Sequence, residues 1–255
     1  MIFDTHCHLY DEIFNENVDE IIKRCLSSNV GLILLAGDNI DHSKKCVEIS
    51  SRFEEVFCAV GIHPLDAFEV TINTLEKDLE KIITNKVKAI GEIGLDYYWI
   101  KEEEKRFKQK EVFIKQIDIA NKLNLPVVIH ARDSVGDCIK ILKKHPVTQK
   151  GVFHCFSGSV EQMKEIIKLG FYIGLDGPVT YKNAIIPKEV AKEVPLERLV
   201  VETDSPYLPP VPHRGKINYP YYLNYIIDEI AKIKEVDYKT IEQSTFENGR
   251  KLFNI

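Results

Sequence analysis

The sequence lacks a CxxC pair, a long apolar run, a glycine-rich phosphate loop and any surplus of positive charge, and each absence excludes a class. Its six cysteines (Cys7, Cys25, Cys46, Cys58, Cys138 and Cys155) fall at irregular spacings. That argues against a zinc knuckle or a disulfide framework and for reduced thiols in or near a core. No stretch approaches the roughly 18–20 apolar residues that cross a bilayer. The opening MIFDTHCHLY has neither a basic n-region nor a small-residue cleavage site, so the expectation is no membrane attachment and a cytoplasmic location. Lys and Arg number 34 against 39 Asp and Glu, a formal charge of −5. A module that reads DNA through many basic phosphate contacts is thereby excluded. An enzyme that grips one or two phosphates through metal ions is not.

What is present is a repeated unit. Short β-rich apolar runs alternate with longer helical stretches, the mark of βα units and a parallel sheet. The runs are IFDTHCH, VGLILLAG, VFCAVGIH, VKAIGEIG, LPVVIHAR, GVFHCFSG, FYIGLDG and RLVVETD. Between them VDEIIKRCLSS, FKQKEVFIKQIDIANKL and SVEQMKEIIKLG place apolar residues three and four apart, as helices do. The run ends, near His6, Ala36, His63, Glu92, His130, His154, Asp176 and Asp204, are 22 to 38 residues apart, with no linker between them. Eight units in 255 residues match a (β/α)8 barrel of the TIM type. The expectation is an α/β fold with a single domain over residues 1–255.

Polar residues gather where these runs end. Of the eight histidines, His6, His8, His63, His130 and His154 sit at or near the end of a run, joined by Glu92, Glu202 and Asp204. One such histidine reads as a hydrogen-bonded core residue. Five together are costly to bury unless something coordinates them, and a metal centre is the economical explanation. Strand parity puts His6 and His8 on one face with Asp4, which could orient a ligating imidazole, and Cys7 on the other. The same parity pairs Glu202 with Asp204 and His130 with Arg132. His6, His8, Glu92, His130, His154 and Asp204 offer six N or O donors. That exceeds the three protein ligands usual for one catalytic zinc, so two divalent ions are expected. Glu92 is expected to bridge them, with His6, His8 and Asp204 on one ion and His130 and His154 on the other. Zinc, manganese, cobalt and magnesium all suit such donors.

The combination DTHCHL, GIHP, GEIGLDYY, LPVVIHARD, HCFSGS and ETDSPYLPP resembles the TatD family of metal-dependent deoxyribonucleases, among the amidohydrolase-type barrels. The likeness runs from Ile2 to about Phe253, with the motifs in the family's order. It implies a TIM-like barrel, a divalent-metal centre and phosphodiester hydrolysis on DNA, often from the 3′ end of single strands. By motif it implies the same six ligands. Family members often carry Arg-Asn-Glu-Pro after the eighth strand, where this chain has Ile217-Asn218-Tyr219-Pro220. Asn218 and Pro220 match, and the stretch is expected to lie far from the ligands.

The mechanism expected for such a site is attack by a metal-bridged hydroxide, with Asp204 as general base, Glu92 as bridge and Glu202 supporting them from behind. His63 and Arg132 are candidate phosphate contacts, against a packed histidine and a surface ion pair. Trp99, beside Tyr97 and Tyr98, could stack unpaired bases or pack its loop onto the barrel. Arg214, in the proline-rich PYLPPVPHRGK, is a further candidate phosphate contact, whereas His42 and His145 need no special role. DNA ends or another phosphodiester are the expected partner, and oligomeric state is open. A binuclear hydrolase of an amide, ester or aminoacyl bond is the alternative, since the same chemistry attacks carbonyl carbon. Many such barrels bridge their metals with a carbamylated lysine, and no lysine ends a run here. A metal- or phosphate-binding barrel without turnover would lack a ligand or a base, and neither is missing.

Overall fold

A computed structural model describes residues 1–14 and 17–255. Eight parallel strands lie side by side in sequence order: β1 (Ile2–Cys7), β2 (Val30–Ala36), β3 (Val56–Val60), β4 (Val87–Asp96), β5 (Val127–Arg132), β6 (Gly151–Phe153), β7 (Tyr172–Leu175) and β8 (Leu199–Val201). The helices α1 (Val18–Ser27), α2 (Ile40–Ser51), α3 (Ile72–Glu80), α4 (Glu103–Leu123), α5 (Val135–Lys144), α6 (Val160–Lys168) and α7 (Ile185–Glu193) follow the first seven strands in turn, and α8 (Leu223–Lys234) and α9 (Tyr238–Phe253) follow β8. The barrel is nearly closed. β1 and β8 are joined by the Thr5 hydroxyl donating to the Val201 carbonyl (3.0 Å) and the Asp204 N–H donating to the His6 carbonyl (3.0 Å). Among the described residues no helix is long and apolar enough to cross a membrane.

Local chemistry explains the helix limits. Ser159 opens α6 with a capping box, its hydroxyl accepting the Gln162 N–H while the Gln162 side chain accepts the Ser159 N–H. α4 stops at Asn124, which takes the left-handed conformation (φ 54°) that a helix C-terminus favours. Two apolar layers result. One lies between strands and helices. The other fills the barrel with one side chain per strand: Phe3, Leu34, Ala59, Ala89, Val128, Val152, Tyr172 and Val200. Leu252 and Phe253 of α9 complete that ring from the end where the strands begin. One end of the barrel is thus plugged, and polar side chains collect at the other.

The strand register shifts at four places, and two of these shape the site. On β1, the step from Asp4 to Cys7 spans only Ile33 to Leu35 of β2, one residue too many. Such a bulge shifts the phase of everything beyond it. Phe3 therefore lies inside the ring and Cys7 in the outer layer, although alternation would put them on one face. Asp4 keeps the outward phase of Ile2, and its expected role beside a ligating imidazole is lost. On β4, Ile90 to Ile93 likewise spans only Val127 to Ile129 of β5, which turns Glu92 inward after the inward Ala89. Glycines permit this crowding. A Cβ on Gly91 would lie 2.6 Å from the Val128 side chain, and one on Gly94 (φ 140°) 2.0 Å from the His130 carbonyl oxygen.

The sixth and eighth strands are also shorter than their apolar runs. Each is three residues long, because the backbone leaves extended conformation at Cys155 (φ 42°) and Asp204 (φ 57°). His154, Glu202 and Asp204 are accordingly on the turns that follow these strands. The parity that paired Glu202 with Asp204 on a strand does not apply to them.

Candidate metal centre

The site is organised around one carboxylate. Glu92 is 3% exposed, and its two oxygens face different imidazoles. Oε2 lies 3.3 Å from His6 Nε2 and 3.8 Å from His8 Nε2. Oε1 lies 2.8 Å from His130 Nδ1, 2.7 Å from His154 Nε2 and 3.5 Å from His63 Nε2. Asp204 joins the first group, with Oδ1 3.2 Å from His8 Nε2 and 3.6 Å from His6 Nε2. All six residues selected from run ends are therefore brought together, from strands β1, β4 and β5 and the turns after β1, β6 and β8.

Three of the rings have a polar group on their far side. His8 Nδ1 meets the Tyr10 hydroxyl (2.9 Å) and the Ala36 carbonyl (3.0 Å), and the Tyr10 hydroxyl donates to Asp38. His130 Nε2 lies 3.1 Å from Asp96 Oδ2. His154 Nδ1 is 3.5 Å from Glu202 Oε1, which also accepts the Cys155 N–H. Carboxylates behind imidazoles fix the orientation of ligating rings. Glu202 lies behind His154 and is fully buried. Tyr10, Asp38 and Asp96 went unrecognised in the sequence. Their only signal is a position within two residues of a ligand or a strand end. Asp38 also reaches His42, its Oδ2 3.4 Å from the His42 Nδ1, which gives that histidine a partner that its helical context did not suggest.

The electrostatics follow from burial and neighbours. Burial alone would push the Glu92 carboxyl up, but the imidazoles of His154, His63 and His6 and the hydrogen bond from His130 hold it well below the usual range. Burial opposes ionisation of Asp204 as well, and His8, His6 and His154 together pull it down. Burial would depress His8 and His154. Asp204 and Asp38 raise the first, and Glu92 and Glu202 the second, well above an ordinary imidazole. His63 is different: burial, and then His130, push it down to about 4. Its Nδ1 accepts the Leu65 N–H (3.2 Å), capping a short 3-10 turn, so the neutral ring carries its proton on Nε2. His63 thus presents an N–H donor to the mouth.

The donor set fits a divalent ion. His6 Nε2 and His8 Nε2 are 3.1 Å apart, and His154 Nε2 and His130 Nδ1 3.4 Å apart. The His6 and His154 rings stack at 3.9 Å. In both pairs one ring nitrogen faces another, and a cation between them would give each an acceptor for its lone pair. Among the described residues the buried His6 Nδ1, His154 Nδ1 and Glu202 Oε2 have no hydrogen-bond partner. His6, His8 and Glu92 form one group able to hold a metal, and His63, Glu92 and His130 another. A neighbouring group comprises Cys155, Asp176 and Asp204. Burial and the nearby Glu202 and Asp204 push the Asp176 carboxyl well above its usual range.

The remaining expected contacts lie outside this cluster. The Arg132 guanidinium is 4.1 Å from the Tyr98 ring centre and 5.8 Å from that of Trp99, so it stacks on aromatics instead of standing beside His130. Arg214 lies 4.5 Å over the Tyr181 ring. Trp99 and Tyr98 are 61% and 45% exposed, so neither packs its loop down; Tyr97 does, its hydroxyl donating to Asp137 (2.9 Å).

The loop beyond β8 is closer to the ligands than its sequence suggested. Asn218 is fully buried, and its side-chain amide donates to the Thr203 and Tyr207 carbonyls (both 2.7 Å). Asp4 accepts both the Thr203 N–H (2.9 Å) and the Thr203 hydroxyl (2.5 Å). Thr203 immediately precedes Asp204. Asp4 and Asn218 therefore hold the turn that carries Asp204. This is what the changed phase of β1 assigns to Asp4, whose carboxyl burial raises to about 8.

Comparison with known proteins agrees with this architecture. Residues 3–254 match the family described as TatD related DNase. The chain is 42% identical over 256 residues to the uncharacterized metal-dependent hydrolase YabD of Bacillus subtilis, covering all of both proteins. It is 37% identical over 262 residues to the uncharacterized metal-dependent hydrolase YcfH of Escherichia coli, covering all of this chain and 96% of that one. The crystal structure of YjjV, a TatD homolog from Escherichia coli, superposes with a TM-score of 0.93 at 28% identity, over all of this chain and 98% of that one. With a family match across nearly its whole length and an eight-stranded barrel that gathers the motif residues at one mouth, the chain belongs to the TatD family of metal-dependent hydrolases.

Proposed function

We propose that this protein is a phosphodiesterase that works with two divalent metal ions and removes nucleotides from the 3′ end of single-stranded DNA. The observation that carries the reading is the division of Glu92, with one oxygen facing His6 and His8 and the other facing His130 and His154. His6, His8, Asp204 and Glu92 Oε2 would hold one ion, and His130, His154 and Glu92 Oε1 the other. Zinc, manganese, magnesium and cobalt all suit these donors. Such ions supply an acidified water and neutralise charge on phosphoryl oxygens.

The protein's own groups do the rest. Asp204 is held ionised by its histidine neighbours and is the base that takes the proton of the attacking water at Oδ1, returning it to the leaving sugar oxygen as the P–O bond breaks. His63 donates a hydrogen bond from its Nε2–H to a non-bridging phosphate oxygen. Glu202 fixes the His154 ring and Asp96 the His130 ring. Arg132, Arg214 and Trp99 provide contacts to the rest of the substrate. The family's description as DNases and the absence of a strand-end lysine bridge support a phosphodiester over an acyl substrate.

Two experiments test this. Protein stripped with chelator and restored with single metals is assayed on labelled single-stranded DNA, duplex DNA and an aminoacyl ester. Metal-restored shortening of the single strand from its 3′ end is expected; cleavage of the ester alone, with DNA intact, overturns the reading. Asp204→Asn is expected to abolish hydrolysis while the fold survives, and a near-wild-type rate removes Asp204 from its role as base.

A further inference from the structure

Beside the metal centre the loop after β4 builds a surface that no buried contact explains. Trp99 and Tyr98 are 61% and 45% exposed, with ring centres 4.9 Å apart at 86°. The Arg132 guanidinium lies 4.1 Å over Tyr98. Among the described residues it has no carboxylate within ion-pairing distance, although the chain carries more acid than base. Large apolar rings left in water at a protein surface signal a contact. A cation spread over them without a counter-ion signals that the contact brings negative charge.

The cluster is tied to the metal centre through one side chain. Asp96 accepts the Trp99 N–H on Oδ1 (2.8 Å) and faces His130 Nε2 with Oδ2 (3.1 Å). Asp96 is itself 1% exposed, so the connection is a buried strut. The Trp99 backbone and the His130 imidazole are therefore held in fixed relation.

We propose that Tyr98, Trp99 and Arg132 form a platform for an unpaired nucleotide of a single-stranded nucleic acid, one base lying on the aromatic rings while Arg132 contacts the phosphate beside it. The proposal rests on the phosphodiester reading for what occupies the centre, and adds where the strand leaves it. A base can stack here only when its partner strand is absent, so the platform selects single strands over duplex ends without reading sequence. Arg132 lying on a ring is pre-arranged for this, since its planar donors remain free at the edge.

Trp99 is the only tryptophan in the chain, so its fluorescence reports the platform directly. The test titrates the full-length protein with phosphorothioate-linked oligo(dT), which resists hydrolysis long enough to reach equilibrium. An abasic strand of equal length and a blunt duplex serve as comparison ligands. Saturable quenching by oligo(dT) is expected, with binding to the abasic strand and the duplex weaker by on the order of tenfold, the loss of one base stack. Tyr98→Ala and Arg132→Ala retain Trp99 and are each expected to weaken oligo(dT) binding severalfold. Absent quenching, equal quenching by the abasic strand, or Tyr98→Ala binding like wild type overturns the platform. So does an emission shift that depends on protein concentration alone, which assigns the patch to a second copy of the chain. If oligo(dT) quenches but ordinary DNA is never cleaved, the nuclease reading fails and the platform stands. If DNA is cleaved without quenching, the reverse holds.

Discussion

Thr203 is bound on every polar group it has: N–H and hydroxyl by Asp4, carbonyl by Asn218. The next residue, Asp204, has a φ of 57°, a conformation that non-glycine residues adopt at a cost of order 1–3 kcal/mol. The clamp supplies what that backbone needs to stay in place. Asn218→Ala strands the buried Thr203 carbonyl, at roughly 1–3 kcal/mol for an unsatisfied buried group, and frees the part-buried Tyr207 carbonyl. Denaturant unfolding should show that loss, and hydrolysis should fall further than the folded fraction does. Asn218→Asp should be worse than alanine, because it aims carboxylate oxygen at two carbonyl oxygens; an aspartate variant as stable as wild type would remove Asn218 from the clamp. These residues also show what a sequence exposes. Ligands declare themselves, because imidazoles and carboxylates at the ends of apolar runs have no cheap alternative explanation. Asn218, Asp96 and Asp38 do not, because each acts through another residue and looks like any polar loop residue until the partner is in view.

At the level of elements, the strands and helices were legible and their phases were not. Alternation found all eight strands, but it assumes an unbroken period of two. The bulges in β1 and β4 each insert one residue, so parity misplaces Asp4 and gives no account of why Glu92 turns inward. The shortness of β6 and β8 was hidden for a related reason: Cys155 and Asp204 take positive φ without glycine to announce it. Helix contacts show a feature that can be measured more simply. Glu76 of α3 accepts from Lys115 and Lys122 of α4, both at 2.6 Å, and these lysines lower its carboxyl to about 2. A depressed carboxyl stabilises the fold above the unfolded value near 4.5, and that stability is lost as pH falls toward the folded value. Thermal melts of Glu76→Gln should therefore lie below wild type at neutral pH, and the gap should close as pH drops from about 5 toward 2. Molar salt should shrink it too, since the groups are at the surface. A gap independent of both would assign the effect to packing.

Across the whole molecule the two barrel ends divide stability from chemistry. A chain of net charge −5 cannot gather DNA over its surface, but divalent ions against Glu92 and Asp204 would leave a formal surplus of positive charge at one point, and that point is the open end. The other end is sealed by α9, whose Phe253 meets Phe3 with ring centres 5.8 Å apart and edge to face. A Cβ on Gly249 would fall 2.6 Å from Phe3, which is how the helix comes so near. Phe3 is on the same strand as His6, three residues from the metal centre, so the plug could either set the site's geometry or only hold the barrel shut. The bulge between Asp4 and Cys7 decides between these. It separates the inward ring from the candidate ligands, of which His8 and His130 have Asp38 and Asp96 beside them at the mouth. Phe253→Ala should therefore cost about 3–5 kcal/mol, the usual loss for a buried aromatic truncated to alanine. For a chain of this size that is a fall in melting temperature of roughly 6–20 °C. Well below the transition the variant should keep wild-type kcat and metal requirement, because nothing at the mouth has moved. If kcat fell in step with stability at temperatures where circular dichroism shows the barrel intact, plug and mouth would be one cooperative unit, and the division would be wrong.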